Sequence, residues 1–192
     1  KTGCEVSADQ IVEKLIQDKI FFDESGGGVT FSGGEPLLQP EFLQQCLKLC
    51  KDNGINTCID TAGVGFGNYQ PILQYVDLVI LDIKAVENDE YLTITGKTNL
   101  QFTEFLNAVI KNNNKLWLRQ VIVPGINNTK EHIVKLKNFD KIFMPQEKTA
   151  PPKECRKMYP SFAQTRLAAT QSRSARYEKK RKHFFHKYCF LR

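Results

Sequence analysis

Ser25-Gly26-Gly27-Gly28-Val29-Thr30-Phe31-Ser32-Gly33-Gly34-Glu35-Pro36-Leu37-Leu38-Gln39 is the stretch on which the reading of this chain turns. Three glycines break whatever precedes them. Val29-Thr30-Phe31 is a short β-branched and aromatic run of strand type. Gly33-Gly34-Glu35-Pro36 follows at once, so the strand ends where no Cβ keeps a ligand away from the backbone.

Upstream, Ser7-Ala8-Asp9-Gln10 is a capping-box pattern, and Ile11, Val12, Leu15, Ile16 and Ile20 recur at helical spacing, which predicts a helix over 8–21. Downstream, Phe42, Leu43, Cys46, Leu47 and Cys50 predict a helix over 40–53, closed by Gly54. Asn56 to Asp60 reads as a strand and Tyr69 to Tyr75 as a short helix. Val76-Asp77-Leu78-Val79-Ile80-Leu81 is an apolar run suited to a strand covered on both faces. A helix over 100–112, a strand over 116–123, a helix over 129–138 and a strand starting at 141–144 complete the series. This alternation predicts an α/β fold of parallel strands joined by crossover helices.

In such folds ligands sit at the carboxyl ends of the strands. Those ends carry Gly33-Gly34-Glu35, Asp60-Thr61 and Asp82-Ile83-Lys84, with Arg119 within its strand. Glycines, acids, a lysine and an arginine suit a zwitterion bearing both an amino and a carboxylate group. Each feature alone also fits a tight turn, a helix cap or a solvated side chain. Charged residues at three or more strand ends of one sheet point to a site.

The 192 residues carry a formal net charge of +6, unevenly placed. Residues 151–192 have a net charge of +10 and residues 1–150 a net of −4, so the overall basicity gives the body no reason to bind nucleic acid. No apolar run approaches the roughly 20 residues that span a bilayer, and no signal-peptide pattern opens the chain. Six cysteines without an export signal fit a reducing cytoplasm better than a disulfide framework.

Composition also breaks near residue 145. Residues 151–192 contain no Gly, Asn, Asp, Ile or Val, whereas Arg119 is the only arginine of residues 1–150. The division is therefore a body over 1–144 and a basic tail over 145–192. The tail reads as disordered or as a shifted reading frame; a nucleic-acid arm built on Lys179, Lys180, Arg181 and Lys182 beside Phe184, Phe185 and Tyr188 is the third account. His183 and His186 lack further ligands at a usable spacing for a metal site.

Residues 25–39, together with Asn56-Thr-Cys-Ile-Asp-Thr-Ala-Gly63, Asp77-Leu-Val-Ile-Leu-Asp-Ile-Lys84 and Leu116-Trp-Leu-Arg-Gln-Val-Ile-Val-Pro-Gly125, resemble radical S-adenosylmethionine (SAM) enzymes that activate glycyl-radical enzymes. The resemblance covers about residues 1–142. It is closest to the branch whose partner is pyruvate formate-lyase, although Asp23-Glu24-Ser25 also occurs in activases of other glycyl-radical enzymes. The resemblance implies a partial (β/α)6 barrel lacking its first strand. It implies an oxidoreductase of anaerobic glucose metabolism that cleaves SAM reductively with a [4Fe-4S] cluster and a flavodoxin or ferredoxin-type electron donor. It carries over Gly33, Gly34, Glu35, Asp82, Ile83, Lys84, Ala85, Val86 and Arg119 to the SAM site. Asp60, Thr61, Ile80 and Asp82 carry over to a monovalent-cation site.

Two departures accompany the resemblance. The family's C-x₃-C-x₂-C cluster motif is absent, and its ligands are expected upstream of Lys1. Cys46-x₃-Cys50 has the first spacing, but lies in a helix pattern with Asn53 where a third cysteine would stand. The family's Leu-Pro-Tyr-His segment has no counterpart after Lys141-Ile142-Phe143-Met144-Pro145. The expectation is an activase fragment inactive alone, with an unpaired apolar sheet edge where the first strand belongs. A non-catalytic fragment binding nucleic acid or protein through its tail is the alternative of another class.

Overall fold

Every strand pairing in the sheet is parallel, so the carboxyl ends of its strands gather along one rim. The computed structural model describes residues 5–65, 67–143, 168–170 and 187–191. The elements in chain order are α1 (Ala8–Ile16), α2 (Lys19–Ser25), β1 (Gly28–Gly33), a 3-10 turn (Pro36–Leu38), α3 (Pro40–Asp52), β2 (Asn56–Thr61), α4 (Gln70–Leu73), β3 (Leu78–Asp82), α5 (Asn88–Thr95), α6 (Leu100–Lys111), β4 (Lys115–Val121), α7 (Lys130–Phe143), β5 (Ala168–Thr170) and β6 (Lys187–Leu191). The sheet order is β5-β4-β3-β2-β1-β6.

The capping box forms as read: Gln10 N donates to Ser7 Oγ and Ser7 N to Gln10 Oε1. The helix expected over 8–21 is broken at Gln17–Asp18 into α1 and α2. The break re-aims the second segment, so that Phe22 enters the core while Ile20 remains 62% exposed. α2 then stops at Gly26, whose φ of 65° is the left-handed conformation that glycine adopts without a Cβ clash.

Two further elements differ from the expectation. α5 went unread because its Asn-Asp-Glu-Tyr-Leu-Thr-Ile-Thr sequence has almost no apolar periodicity and buries only Tyr91. α7 runs to Phe143 where a strand was expected from residue 141. Leu136 and Phe139 are buried on one face, and no glycine or proline interrupts the chain until Pro145. β4 ends at Val121 rather than 123, where Asn127 Nδ2 donates to the Val121 carbonyl and Val123 N to Asn127 Oδ1, starting a turn.

Registered neighbours share a face of the sheet. Val29, Phe31, Ile59, Val79, Leu81, Leu116 and Leu118 line one face and are buried in the core with helix residues Leu43, Leu47, Phe102, Phe105 and Leu106. Each such fully buried side chain contributes roughly 1.5–3 kcal/mol relative to exposure. The opposite face carries Asp60, Ile80, Asp82, Trp117 and Arg119, all half-buried. A parallel sheet with its apolar core on the helix side and a half-buried polar rim on the other fits the partial barrel that was expected.

The β1 edge expected to be unpaired is not open. β6 pairs with it in register from Val29↔Lys187 to Gly33↔Leu191, and β5 pairs with β4 from Arg119↔Ala168. The rest of the 145–192 tail, including Lys179 to Lys182, His183 and His186, lies outside the described residues. Among the described residues no helix is long and apolar enough to cross a membrane.

Candidate functional site

At the carboxyl rim, β2, β3 and β4 bring Asp60, Asp82 and Arg119 together because Asp60↔Ile80 and Asp82↔Arg119 are register pairs on one face. The guanidinium spans both acids. Arg119 Nη2 and Nη1 donate to Asp60 Oδ1 (2.8 Å) and Oδ2 (3.1 Å), and Nε donates to Asp82 Oδ1 (2.5 Å). Lys84 Nζ stands 3.5 Å from Asp82 Oδ2. Two acids and two bases thus close a charge-balanced set on a half-buried surface. The bond to Asp82, then that to Asp60, holds the Arg119 guanidinium protonated beyond its ordinary range.

Beside this set, β1 ends in Gly33, with φ 129°, a value that side chains rarely adopt. A Cβ built on Gly34 would meet nothing within 4 Å, so the turn faces open space. Glu35 points the other way. Its Oε1 accepts from Thr61 Oγ1 and from Leu37 N (3.1 Å), and its Oε2 accepts from Ala62 N (2.9 Å). Burial pushes this carboxyl above its ordinary 4.5, against the pull of those hydrogen bonds. Glu35 therefore braces the Gly-Gly turn against the end of β2, and Thr61 in turn accepts from Gly63 N (2.9 Å).

The remaining sequence candidates divide by face. Ile80 lies with Asp60 on the open face. Thr61 is buried on the helix-covered face, and its hydroxyl is taken up by Glu35 and Gly63. Ile83 and Ala85 are buried in the core and Val86 packs partly against it. Asp77 works at the opposite end of the sheet, where it accepts from Thr57 N and pairs with Lys51.

A small cleft of about 140 Å³ opens on the same rim, lined by Asp82, Ile83, Lys84, Ile94, Val121, Val123, Ile126 and Asn127. Its apolar part was not read from sequence. Ile94 sits in the unread α5, and Ile126 follows a Pro-Gly turn that reads only as loop.

The described cysteines do not form an iron–sulfur site. Cys46 and Cys50 are buried in α3 and Cys58 in β2, where burial pushes its thiol up to about 12. No group of three or more His, Cys, Asp or Glu side chains among the described residues could hold a metal ion. A [4Fe-4S] cluster therefore does not fit these residues. The amino-acid end of SAM does fit: an open glycine turn, a lysine, and an arginine held by two acids present backbone and charged partners of both signs.

Residues 2–138 match the model of the Radical SAM superfamily. Over 146 residues the chain is 55% identical to the pyruvate formate-lyase-activating enzyme of Clostridium pasteurianum, a match covering 76% of this chain and 61% of that protein. It is 42% identical over 143 residues to the enzyme of that name from Staphylococcus epidermidis, covering 70% of this chain and 57% of that one. The chain thus spans about three-fifths of the length of these curated relatives. A crystal structure of a domain of pyruvate-formate lyase-activating enzyme from Bacteroides vulgatus aligns with a TM-score of 0.55 at 21% identity, covering 76% of this chain and 99% of that one. Streptococcus suis SuiB aligns at 0.60 with 14% identity, covering 88% of this chain and 44% of that one, and at these identities both likenesses speak for the fold. The match over most of its length, with a fold in agreement, shows that the chain belongs to the radical SAM superfamily.

Proposed function

We propose that this chain is the SAM-binding body of an activase that installs a glycyl radical, with pyruvate formate-lyase as its partner enzyme. The observation that carries the reading is the rim itself. Three adjacent parallel strands bring Asp60 and Asp82 each against Arg119, beside Lys84 and the open Gly34 turn. The 55% identity to an enzyme named for that activity supports the choice of partner.

In this reading the Gly33-Gly34 backbone and the Lys84 segment hold the amino and carboxylate groups of SAM. Glu35 keeps the glycine turn in place from behind. Ile83, Ala85 and Val86 contribute backbone positions, and Arg119 fixes the orientation of Asp82 with charge-assisted hydrogen bonds. A monovalent cation near Asp60, Thr61, Ile80 and Asp82 would compete with Arg119 for the same carboxylate oxygens. SAM supplies, on reductive cleavage, the group that takes a hydrogen atom from the partner's glycine. A flavodoxin or ferredoxin-type protein is the proposed electron source for the complete enzyme. Among the described residues, none offers a cluster a set of ligands.

Equilibrium dialysis of labelled SAM tests the binding part. Saturable binding is expected, weakened by Asp82→Asn. No saturation up to about 1 mM, a binding free energy weaker than ~4 kcal/mol, refutes it. Anaerobic iron–sulfide reconstitution is expected to yield neither a [4Fe-4S] absorbance nor 5′-deoxyadenosine from this chain alone.

A further inference from the structure

Behind the rim, on the helix-covered side of β4, two buried polar side chains and a half-buried acid form a trio that the site does not use. Gln120 follows Arg119 and so faces the opposite way. It is 3% exposed. Its Oε1 is 2.9 Å from His132 Nε2, and its Nε2 donates over a long 3.5 Å to the backbone carbonyl of Lys84. His132, itself buried, places Nδ1 3.2 Å from Glu90 Oε1. The trio joins β4, α7, α5 and the turn after β3.

The chemistry fixes its orientation. A Lys84 carbonyl can only accept, so the Gln120 amide turns its NH₂ that way and its oxygen toward the imidazole. His132 then donates from Nε2. The ring is placed by the first turn of α7, where His132 N donates to Thr129 Oγ1 (3.1 Å). Immediately beside the trio, Ile83 N donates to the Arg119 carbonyl (2.7 Å). Two successive residues of β4 thus hold two successive residues of the turn, one through its backbone and one through a side chain locked from outside. α7 also meets the N-cap of α5 through Lys135 and Glu87 (3.1 Å), an exposed ion pair that touches neither Gln120 nor Lys84.

We infer that Gln120 and His132 are positioning residues that hold the Asp82–Ala85 turn in its ligand-binding shape from the far side of the sheet. This deepens the SAM-site reading, on which its functional meaning rests. Buried polar networks often add no net stability over apolar side chains of equal size, so the trio's use lies in where it holds Lys84.

Amide hydrogen exchange on the full chain tests this, with Ile83 as the reporter and the β2 amides as the global control. Gln120→Glu keeps the acceptor for His132, removes the donor to Lys84, and sets oxygen against oxygen. It is expected to speed Ile83 exchange at least tenfold without changing β2, and to weaken SAM binding by a similar factor. His132→Ala is expected to act likewise. Lys135→Ala, which cuts only the neighbouring tie between α5 and α7, is expected to leave Ile83 protected. Unchanged Ile83 exchange in Gln120→Glu, or equal loss in Lys135→Ala, overturns the inference. Faster Ile83 exchange in a protein that binds no SAM even as wild type retains the positioning role and removes the SAM reading instead.

Discussion

Replacing Arg119 with methionine removes the guanidinium that Asp60 and Asp82 share. The two carboxylates, 15% and 19% exposed as side chains, are left facing each other, with only Lys84 at 3.5 Å from one of them. Breaking a buried pair costs about 3–5 kcal/mol. The guanidinium is 34% exposed, so solvent screens part of that, and a loss of about 2 kcal/mol is expected. For a chain of this size that lowers the midpoint of thermal unfolding by about 4–8 °C. Urea unfolding followed by circular dichroism reads the loss directly. If the orphaned carboxylates are its cause, adding Asp60→Asn and Asp82→Asn to Arg119→Met restores more than half of it. Potassium chloride should also stabilise Arg119→Met more than tetramethylammonium chloride does at equal ionic strength, because a small cation can enter between the two acids. A stability within about 0.5 kcal/mol of wild type, or no recovery in the triple variant, refutes this account of the rim.

Gly28 and Gly34 separate packing from function: a Cβ at Gly28 would lie 2.1 Å from the Asn56 carbonyl oxygen, so Gly28→Ala should cost on the order of 3 kcal/mol in urea. Gly34→Ala, whose Cβ meets nothing, should change stability by under about 0.5 kcal/mol yet weaken SAM binding; equal stability losses would contradict both readings. Glu35→Gln sets an amide NH₂ against Ala62 N and should cost about 1–3 kcal/mol. Because burial raises the Glu35 carboxyl in the folded state, its contribution to stability is greatest below pH 4.5 and declines as pH climbs through the raised value, so the gap between wild type and Glu35→Gln should narrow upward from pH 4.5 and not widen. Cys58, with its thiol pushed up to about 12, should resist iodoacetamide at pH 8 until the protein is unfolded; labelling in the native state would show the sheet opens there.

The sequence shows the strands and rim well where side-chain period and turn residues agree. Phe42, Leu43, Cys46, Leu47 and Cys50 announce α3, and the apolar run around Val79 announces β3, because burial there is dictated by period alone. α5 is invisible to that signal, since only Tyr91 is buried. Its traces are subtler: Asp89 and Glu90 in the first turn and Gly96 with φ 71° after the last. The rim residues stand out in the sequence because strand ends are where parallel sheets bind ligands. What they contact was not legible. Glu35 faces inward and Arg119 bridges two acids because of how three strands are staggered, which no local pattern records. Gln120 and His132 carried no signal at all, being 12 positions apart on a strand and a helix that meet only in the folded chain.

The pairing of β1 with β6 has a consequence for how the chain is made. β1 leaves the ribosome well before its neighbour Lys187–Leu191 is added. With roughly 150 residues between them and elongation at about 5–20 residues per second, the β1 edge stays without its partner for about 10–30 s on the ribosome. During that interval Val29, Thr30 and Phe31 present a row of unpaired backbone groups beside apolar side chains, a template for pairing between nascent chains. Yield in cells should therefore depend on chaperone capacity and on translation speed between β1 and β6 more than on the stability of the folded protein.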